Sequence, residues 1–166
     1  TISANAADNV GVAGVQFLLD GNLLGAEYTT SPYSISWNTA NVADGVHTLG
    51  ARARDAAGNS ATAPITVPVD NTAPTGSVSV NGGAAATNNR NVTLTLAASD
   101  ALTGVTQMRF SNTGTSFSAG EAFSTTKAWT LTTGAGTKTV YVQFGDGAGN
   151  WSASFTDTIV LDTTAP

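Results

Sequence analysis

The sequence predicts an all-β chain folded as two antiparallel β-sandwiches in tandem. Three observations predict it: a repeat with a period of about 92 residues, apolar residues recurring at every second position, and turn residues at short intervals. Asp55-Ala56-Ala57-Gly58-Asn59 returns as Asp146-Gly147-Ala148-Gly149-Asn150, and Val69-Asp70-Asn71-Thr72-Ala73-Pro74 returns as Leu161-Asp162-Thr163-Thr164-Ala165-Pro166. Asp8 and Asp100 stand 92 residues apart, as do Trp37 and Trp129, while Phe17 and Phe110 stand 93 apart. A repeat of this size is a domain rather than a solenoid unit. The boundaries it sets are a first module over residues 1–70, a second over 71–162, and the start of a linker to a further module at 163–166.

The strands follow from the alternation. In the second module they fall at Ser77 to Val80, Val92 to Ala98, Val105 to Phe110, Lys127 to Leu131, Thr139 to Phe144 and Ser154 to Leu161. In the first they fall at Ile2 to Ala6, Val12 to Leu19, Tyr33 to Trp37, Thr48 to Ala53 and Thr62 to Val69. Asp20-Gly21-Asn22, Ala43-Asp44-Gly45, Asn81-Gly82-Gly83 and Thr133-Gly134-Ala135-Gly136 supply turn chemistry between them. No 11-residue window keeps the helical apolar spacing without interruption. Aligning Asp8 with Asp100 sets Thr1 opposite Thr93, so the first module lacks the counterpart of the second module's first strand. The edge that such a strand covers is then open, to be left without a partner or paired with a strand from a neighbouring chain.

Composition bounds the function. Of the 166 residues only 10% are charged, against about 25% in an average soluble domain, while 41% are hydrophobic, too many for a disordered tract. A net charge of −5 with six scattered Lys and Arg argues against nucleic acid. No run of about 18 apolar residues is present to insert in a membrane. There is no cysteine, hence neither a disulfide nor a thiolate metal site. The single histidine, His47, cannot build a convincing Ser-His-Asp set, and most of the nine Asp lie in turns or at strand ends rather than across a cleft. No catalytic residue is expected, and the chain is not expected to be an enzyme.

The residues resemble a known family at this point. Ala7-Asp8-Asn9-Val10-Gly11-Val12, Val15-Gln16-Phe17 with Asp20-Gly21, Pro32-Tyr33, Trp37, Asp44-Gly45-Val46-His47-Thr48-Leu49 and Asp55 to Asn59 resemble bacterial immunoglobulin-like modules repeated in large secreted and cell-surface proteins. Ser99-Asp100, Gly104-Val105, Met108 to Asn112, Trp129 and Val140 to Asn150 carry the same resemblance in the second module. It implies two tandem Ig-like sandwiches, the first lacking its strand A, in an extracellular or cell-surface protein. It also implies a spacer or stalk segment beside other modules of the same polypeptide, or an adhesive or carbohydrate-binding module directed at a glycan or surface receptor.

The Asp-x-x-Gly-Asn turns admit two readings. Gly58 and Gly149 supply the left-handed residue of a hairpin and the carboxylates of Asp55 and Asp146 cap it, which accounts for the motif by itself. Alternatively the oxygens hold calcium, a hard cation that prefers carboxylate and amide ligands on loops. In an Ig-like topology the B–C loop, the F–G loop and the entry of strand A share one end, which would gather Asp70, Asn71, Asp100, Asp146 and Asn150 at the module junction. Trp37 and Trp129 are expected in the cores, His47 in a turn-bonding role, and Trp151 over the junction or as a contact platform. A line of exposed Trp or Tyr from Tyr28, Tyr33, Tyr141 and Trp151 would favour the binding module.

Overall fold

Period-two alternation becomes burial most plainly in the strand Asn91–Ser99, where Val92, Leu94 and Leu96 are buried and the threonines between them are exposed. This follows from side chains alternating across the pleat. The computed structural model describes residues 1–165, so Pro166, the end of the expected 163–166 linker, lies outside the described residues. The chain divides into two compact units, Thr1–Asn71 and a second from Thr72 onward.

In the first unit the strands are β1 (Ile2–Ala4), β2 (Val12–Leu19), β3 (Asn22–Tyr28), β4 (Tyr33–Ile35), β5 (Gly45–Asp55) and β6 (Ser60–Val69). β1 and β4 form a two-stranded sheet, and β3-β2-β5-β6 a four-stranded one. In the second unit they are β7 (Thr75–Val80), β8 (Ala86–Thr87), β9 (Asn91–Ser99), β10 (Val105–Ser111), β11 (Glu121–Ala122), β12 (Thr126–Thr130), β13 (Gly136–Asp146) and β14 (Phe155–Leu161). These make the sheets β12-β9-β7 and β11-β10-β13-β14-β8. All pairings are antiparallel except β14 with β8.

The repeat survives as register. Ile2 pairs with Ile35 in the first unit where Leu94 pairs with Lys127 in the second. A bulge interrupts β2 between Val12 and Gly14, and another interrupts β10 between Val105 and Gln107, each just after the Asp turn that opens the strand.

The cores differ in size for a reason visible in the pairing. Phe17 faces Ala51 and Val15 faces Ala53, whereas Phe110 faces Val142 and Met108 faces Phe144. Two alanines thus stand where the second unit has a valine and a phenylalanine. The second core joins Val78, Val80 and Leu94 of one sheet to Phe110, Val142 and Phe144 of the other, and Phe144 meets Phe123 and Phe155 at 5.8 Å each. The first is built on Val15, Phe17 and Tyr33, with Tyr28 edge-on to Phe17 at 5.9 Å.

Several strand expectations change, and the short β8 and β11 were not among the expected strands. β3 is an additional strand that pairs along the edge of β2, and Gln16 of β2 is 6% exposed, its amide donating to the carbonyls of Phe17, Leu24 and Gly25. The strand expected to run to Trp37 ends at Ile35, because Asn38 caps a 3-10 turn over Thr39–Asn41 and draws the chain out of the sheet. Trp37 is therefore half-buried beyond the strand rather than packed on it. The strand expected over Ile2 to Ala6 stops at Ala4.

Candidate functional site

An Asp two or three residues before a turn's free N–H groups can fold back and accept them, which is why Asx residues open turns. Each unit uses this device at two corresponding places. In the first, Asp8 Oδ1 accepts the N–H groups of Val10 and Gly11 at 2.8 and 2.9 Å. Asp55 Oδ1 accepts Asn59 N–H at 2.9 Å and its Oδ2 accepts Asn59 Nδ2 at 2.7 Å. In the second, Asp100 Oδ1 accepts the N–H groups of Leu102, Thr103 and Gly104. Asp146 Oδ1 accepts those of Ala148, Gly149 and Asn150 at 2.7 to 2.9 Å, and Oδ2 takes Asn150 Nδ2 at 2.8 Å. Gly58 and Gly149 have φ of +93° and +98°, the left-handed conformation that glycine adopts at no steric cost.

These bonds act on the carboxylates in turn. The backbone N–H groups of Gly11 and Val10 hold Asp8 below its ordinary value. The Asn59 side chain does the same for Asp55. For Asp146 burial is the largest influence and pushes upward, but Asn150 and the three turn N–H groups together outweigh it, and the net displacement is downward. Groups of this kind contribute stability above an unfolded value of about 3.8 and lose that contribution as the pH falls through the depressed folded value.

Of the residues expected to hold calcium, Asp100 and Asp146 place carboxylate oxygens within 4.8 Å of one another inside the second unit, and Asn150 is bonded to Asp146. Asp70 follows β6 near the end of the first unit. Asn71 is engaged by its own unit: its N–H donates to Asp44 Oδ1 at 2.7 Å and its Nδ2 to the carbonyls of Thr39 and Val42 at 3.1 and 3.0 Å. Sequence reasoning did not reach that contact, because Thr39 and Val42 offer only backbone oxygens.

The aromatic residues have structural partners. Tyr33 is 8% exposed, Tyr28 lies on Phe17, and the Tyr141 ring lies under Gly114, where an added Cβ would meet it at 2.8 Å. Trp129 packs on Phe110 at 5.5 Å and donates Nε1–H to Asn112 Oδ1 at 2.9 Å. Trp151 lies over the glycine surface of Gly145, a Cβ there falling 3.1 Å from the indole, and the Arg109 guanidinium sits 4.2 Å from its ring centre. Phe117 lies on Arg109 as well, at 5.4 Å, and Gln143 accepts its Nε–H at 2.8 Å. None of the six Trp and Tyr residues is exposed.

His47 bridges two loops: Nδ1 lies 2.7 Å from Asp20 Oδ2 and Nε2 lies 2.8 Å from the Ala43 carbonyl. Both neighbours are acceptors, so the doubly protonated ring satisfies both, and the Asp20 carboxylate followed by the Ala43 carbonyl raises the imidazole above its ordinary 6.5. The contribution to stability is full below about 6.5 and is lost as the pH rises through the raised value. We expect an NMR titration of His47 to give a midpoint above 6.5 that Asp20→Asn moves back down; an unchanged midpoint in the variant would remove Asp20 as the cause.

Residues 1–51 match the family model described as bacterial Ig domain. Among solved structures, the fibronectin(III)-like modules of Clostridium thermocellum CbhA are 20% identical with a TM-score of 0.51, over 96% of this chain and 83% of that one. A tetra-tandem repeat in the extending region of a large adhesion protein is 22% identical with a TM-score of 0.38, over 92% and 43% of the two chains. The amphioxus IgVJ-C2 molecule is 11% identical with a TM-score of 0.36, over 96% and 93%. No curated protein matches the sequence. The first of these likenesses and the sheet topology show the fold, two immunoglobulin-like β-sandwiches in tandem, and residues 1–51 are similar to the bacterial Ig domain.

Proposed function

We propose that this chain is a non-catalytic spacer segment of an extracellular, multidomain bacterial protein, and that calcium stiffens the linker between its modules. The observation that supports the spacer reading is where the polar chemistry goes. Asp8, Asp20, Asp55, Asp100, Asp146, Asp157 and Asp162 accept backbone N–H groups, and Asp44 accepts that of Asn71. Glu27 pairs with Arg54 and Glu121 with Lys127, each at 2.6 Å. These acids hold loops and strands in register. The aromatic residues that a glycan platform needs are packed into the modules rather than aligned on a face, which favours the spacer over the carbohydrate-binding reading. A glycan array and a receptor screen are expected to be silent; specific binding that disappears in Trp151→Ala would reverse this preference.

The calcium reading is supported by the Asp100–Asp146 pair and by connectivity. Thr75, the first residue of β7, pairs with Ser99 beside Asp100, so the chain enters the second unit next to this pair, five residues after Asp70. Calcium takes six to eight oxygens at about 2.3–2.6 Å, and Asp70, Asn71, Asp100, Asp146 and Asn150 are the donors proposed for it. Asn150 would offer its amide oxygen by turning its side chain over, exchanging the Nδ2 that Asp146 now receives. Extracellular sites bind at about 10⁻⁴–10⁻³ M, so about 1 mM calcium adds roughly 0.4–1.4 kcal/mol. Thermal unfolding in EDTA and in calcium is expected to differ by a few degrees, and the difference should vanish in Asp100→Asn. Superimposable curves would leave a spacer that needs no ion.

A further inference from the structure

The loop that leads into β5 is held from two sides. Val42, Ala43 and Asp44 are consecutive in it, and their acceptors serve different partners. The Asp44 carboxylate accepts the N–H of Asn71 at 2.7 Å, and the Val42 carbonyl, together with that of Thr39, accepts the Asn71 side-chain amide. The Ala43 carbonyl between them lies 2.8 Å from His47 Nε2. Asn71 is the residue with which the first unit ends. The imidazole thus braces the same three residues that clasp the chain where it leaves the module.

The ring is fixed on its other side by Asp20, in the turn after β2. Asp20 Oδ2 lies 2.7 Å from Nδ1, its Oδ1 accepts the N–H of Thr48 at 2.8 Å, and its own N–H donates to the Thr48 carbonyl. The other elements packed against His47 bring no second charge to it. β6, which sets Val67 opposite His47, carries no titratable residue, the nearest in sequence being Asp70. The loop before β5 presents a carbonyl to the ring and turns its Asp44 carboxylate to Asn71, and the charged residues of β5 itself begin five positions further on, at Arg52. Both ring nitrogens therefore face oxygen acceptors, which only the imidazolium satisfies together. A neutral ring has one N–H. Keeping it on the carboxylate, the stronger acceptor, sets a lone pair against the Ala43 carbonyl.

The second unit contains the same brace in a form that does not switch. Lys138 stands opposite Ile159 as His47 stands opposite Val67, and Val67 and Ile159 are 92 residues apart in the repeat. Lys138 Nζ reaches back to the Thr133 carbonyl at 2.9 Å, as His47 reaches back to Ala43. An ammonium stays charged throughout the physiological range, and an imidazole does not.

We propose that His47 is a pH-sensitive latch on the exit of the first module: charged, it holds Ala43 and keeps Val42 and Asp44 closed on Asn71, and neutral, it releases Ala43 and loosens that clasp. The latch is closed below about 6.5 and opens as the pH rises through the raised value of the imidazole. It works within the first unit alone, and calcium has no part in it.

The test follows the Asn71 backbone amide in the full chain by NMR, in EDTA, from about pH 5.5 to about pH 9, a range that brackets an imidazole. Exchange is expressed as a protection factor, so that the base catalysis of exchange itself cancels. Protection of Asn71 is expected to fall by at least about threefold, at the midpoint where the His47 ring titrates, while amides of β13 keep theirs. His47→Lys, which copies Lys138, should hold the protection across the range. Asn71 protection that is unchanged through the His47 titration would overturn the proposal. So would an equal fall in His47→Lys, since the ring would then not be its cause. Should that variant fail to fold, Asp20→Asn supplies the second arm: the Asn71 midpoint must follow the His47 midpoint downward, and one that stays behind overturns the latch.

Discussion

Phe144→Ala is expected to destabilise the second unit by about 3–5 kcal/mol, the cost of removing a large aromatic side chain from a closed core. Phe144 is fully buried and lies between Phe123 and Phe155, and its ring also lies against Gly76, where an added Cβ would meet it at 2.5 Å. Truncation empties a space bounded by both sheets, and neither can close over it without moving β7. The counterpart in the first unit is Ala53. The pair makes a controlled experiment: denaturant unfolding of Phe144→Ala should bring the second unit's midpoint sharply down, while a label in the first unit reports little change. A loss below about 1 kcal/mol would mean that the cluster repacks freely.

Asp146→Ala is expected to cost about 1–3 kcal/mol, because it removes the buried acceptor on which the Asp146–Asn150 turn closes. Asp146 is 3% exposed, and four donors converge on it: the N–H groups of Ala148, Gly149 and Asn150 and the amide of Asn150. Asp146→Asn keeps an oxygen for the turn and should recover much of the loss. Asp55→Ala removes the corresponding bonds in the first unit, where the carboxylate is more exposed and water replaces it, so a smaller effect is expected. Equal losses at the two positions would contradict the role given to burial. The acid limb of the unfolding curve should move toward higher pH in the Asp146→Asn protein, since the carboxylate whose depressed pKa favours the folded state has been removed.

How much of this was legible in the sequence depends on whether local chemistry or packing decided the outcome. Val92-Thr93-Leu94-Thr95-Leu96 announced a half-buried strand because one face meets a core and the other meets water. Asn22–Tyr28 did not, because it is the edge strand beside β2, its burial does not alternate, and its Leu23 remains 68% exposed. The Asp55–Asn59 and Asp146–Asn150 turns were readable at four-residue spacing, since the carboxylate bonds that close them lie within that span. The use of Asn71 was not, for its partners at Thr39, Val42 and Asp44 lie 27 to 32 residues away and reveal nothing by residue type. Trp151 was legible as an aromatic directly after the Asp146–Asn150 turn, but its neighbour Arg109 is on another strand and came only from the fold.

The short span of the Asp turns has a consequence for how the modules fold. Asp146 reaches residues two to four positions ahead, so its bonds close loops of the smallest size and involve little loop-closure entropy. Pairing Val105 with Asp146, by contrast, closes a loop of about 40 residues. The turn can therefore form while most of the chain is still unpaired, bringing β13 and β14 together in one register before the sheet they belong to exists. In a chain dominated by non-local pairings, which fold slowly as a class, such local clasps shorten the search. Each repeat carries its own pair, so a newly made module need not wait for its neighbour to find its fold.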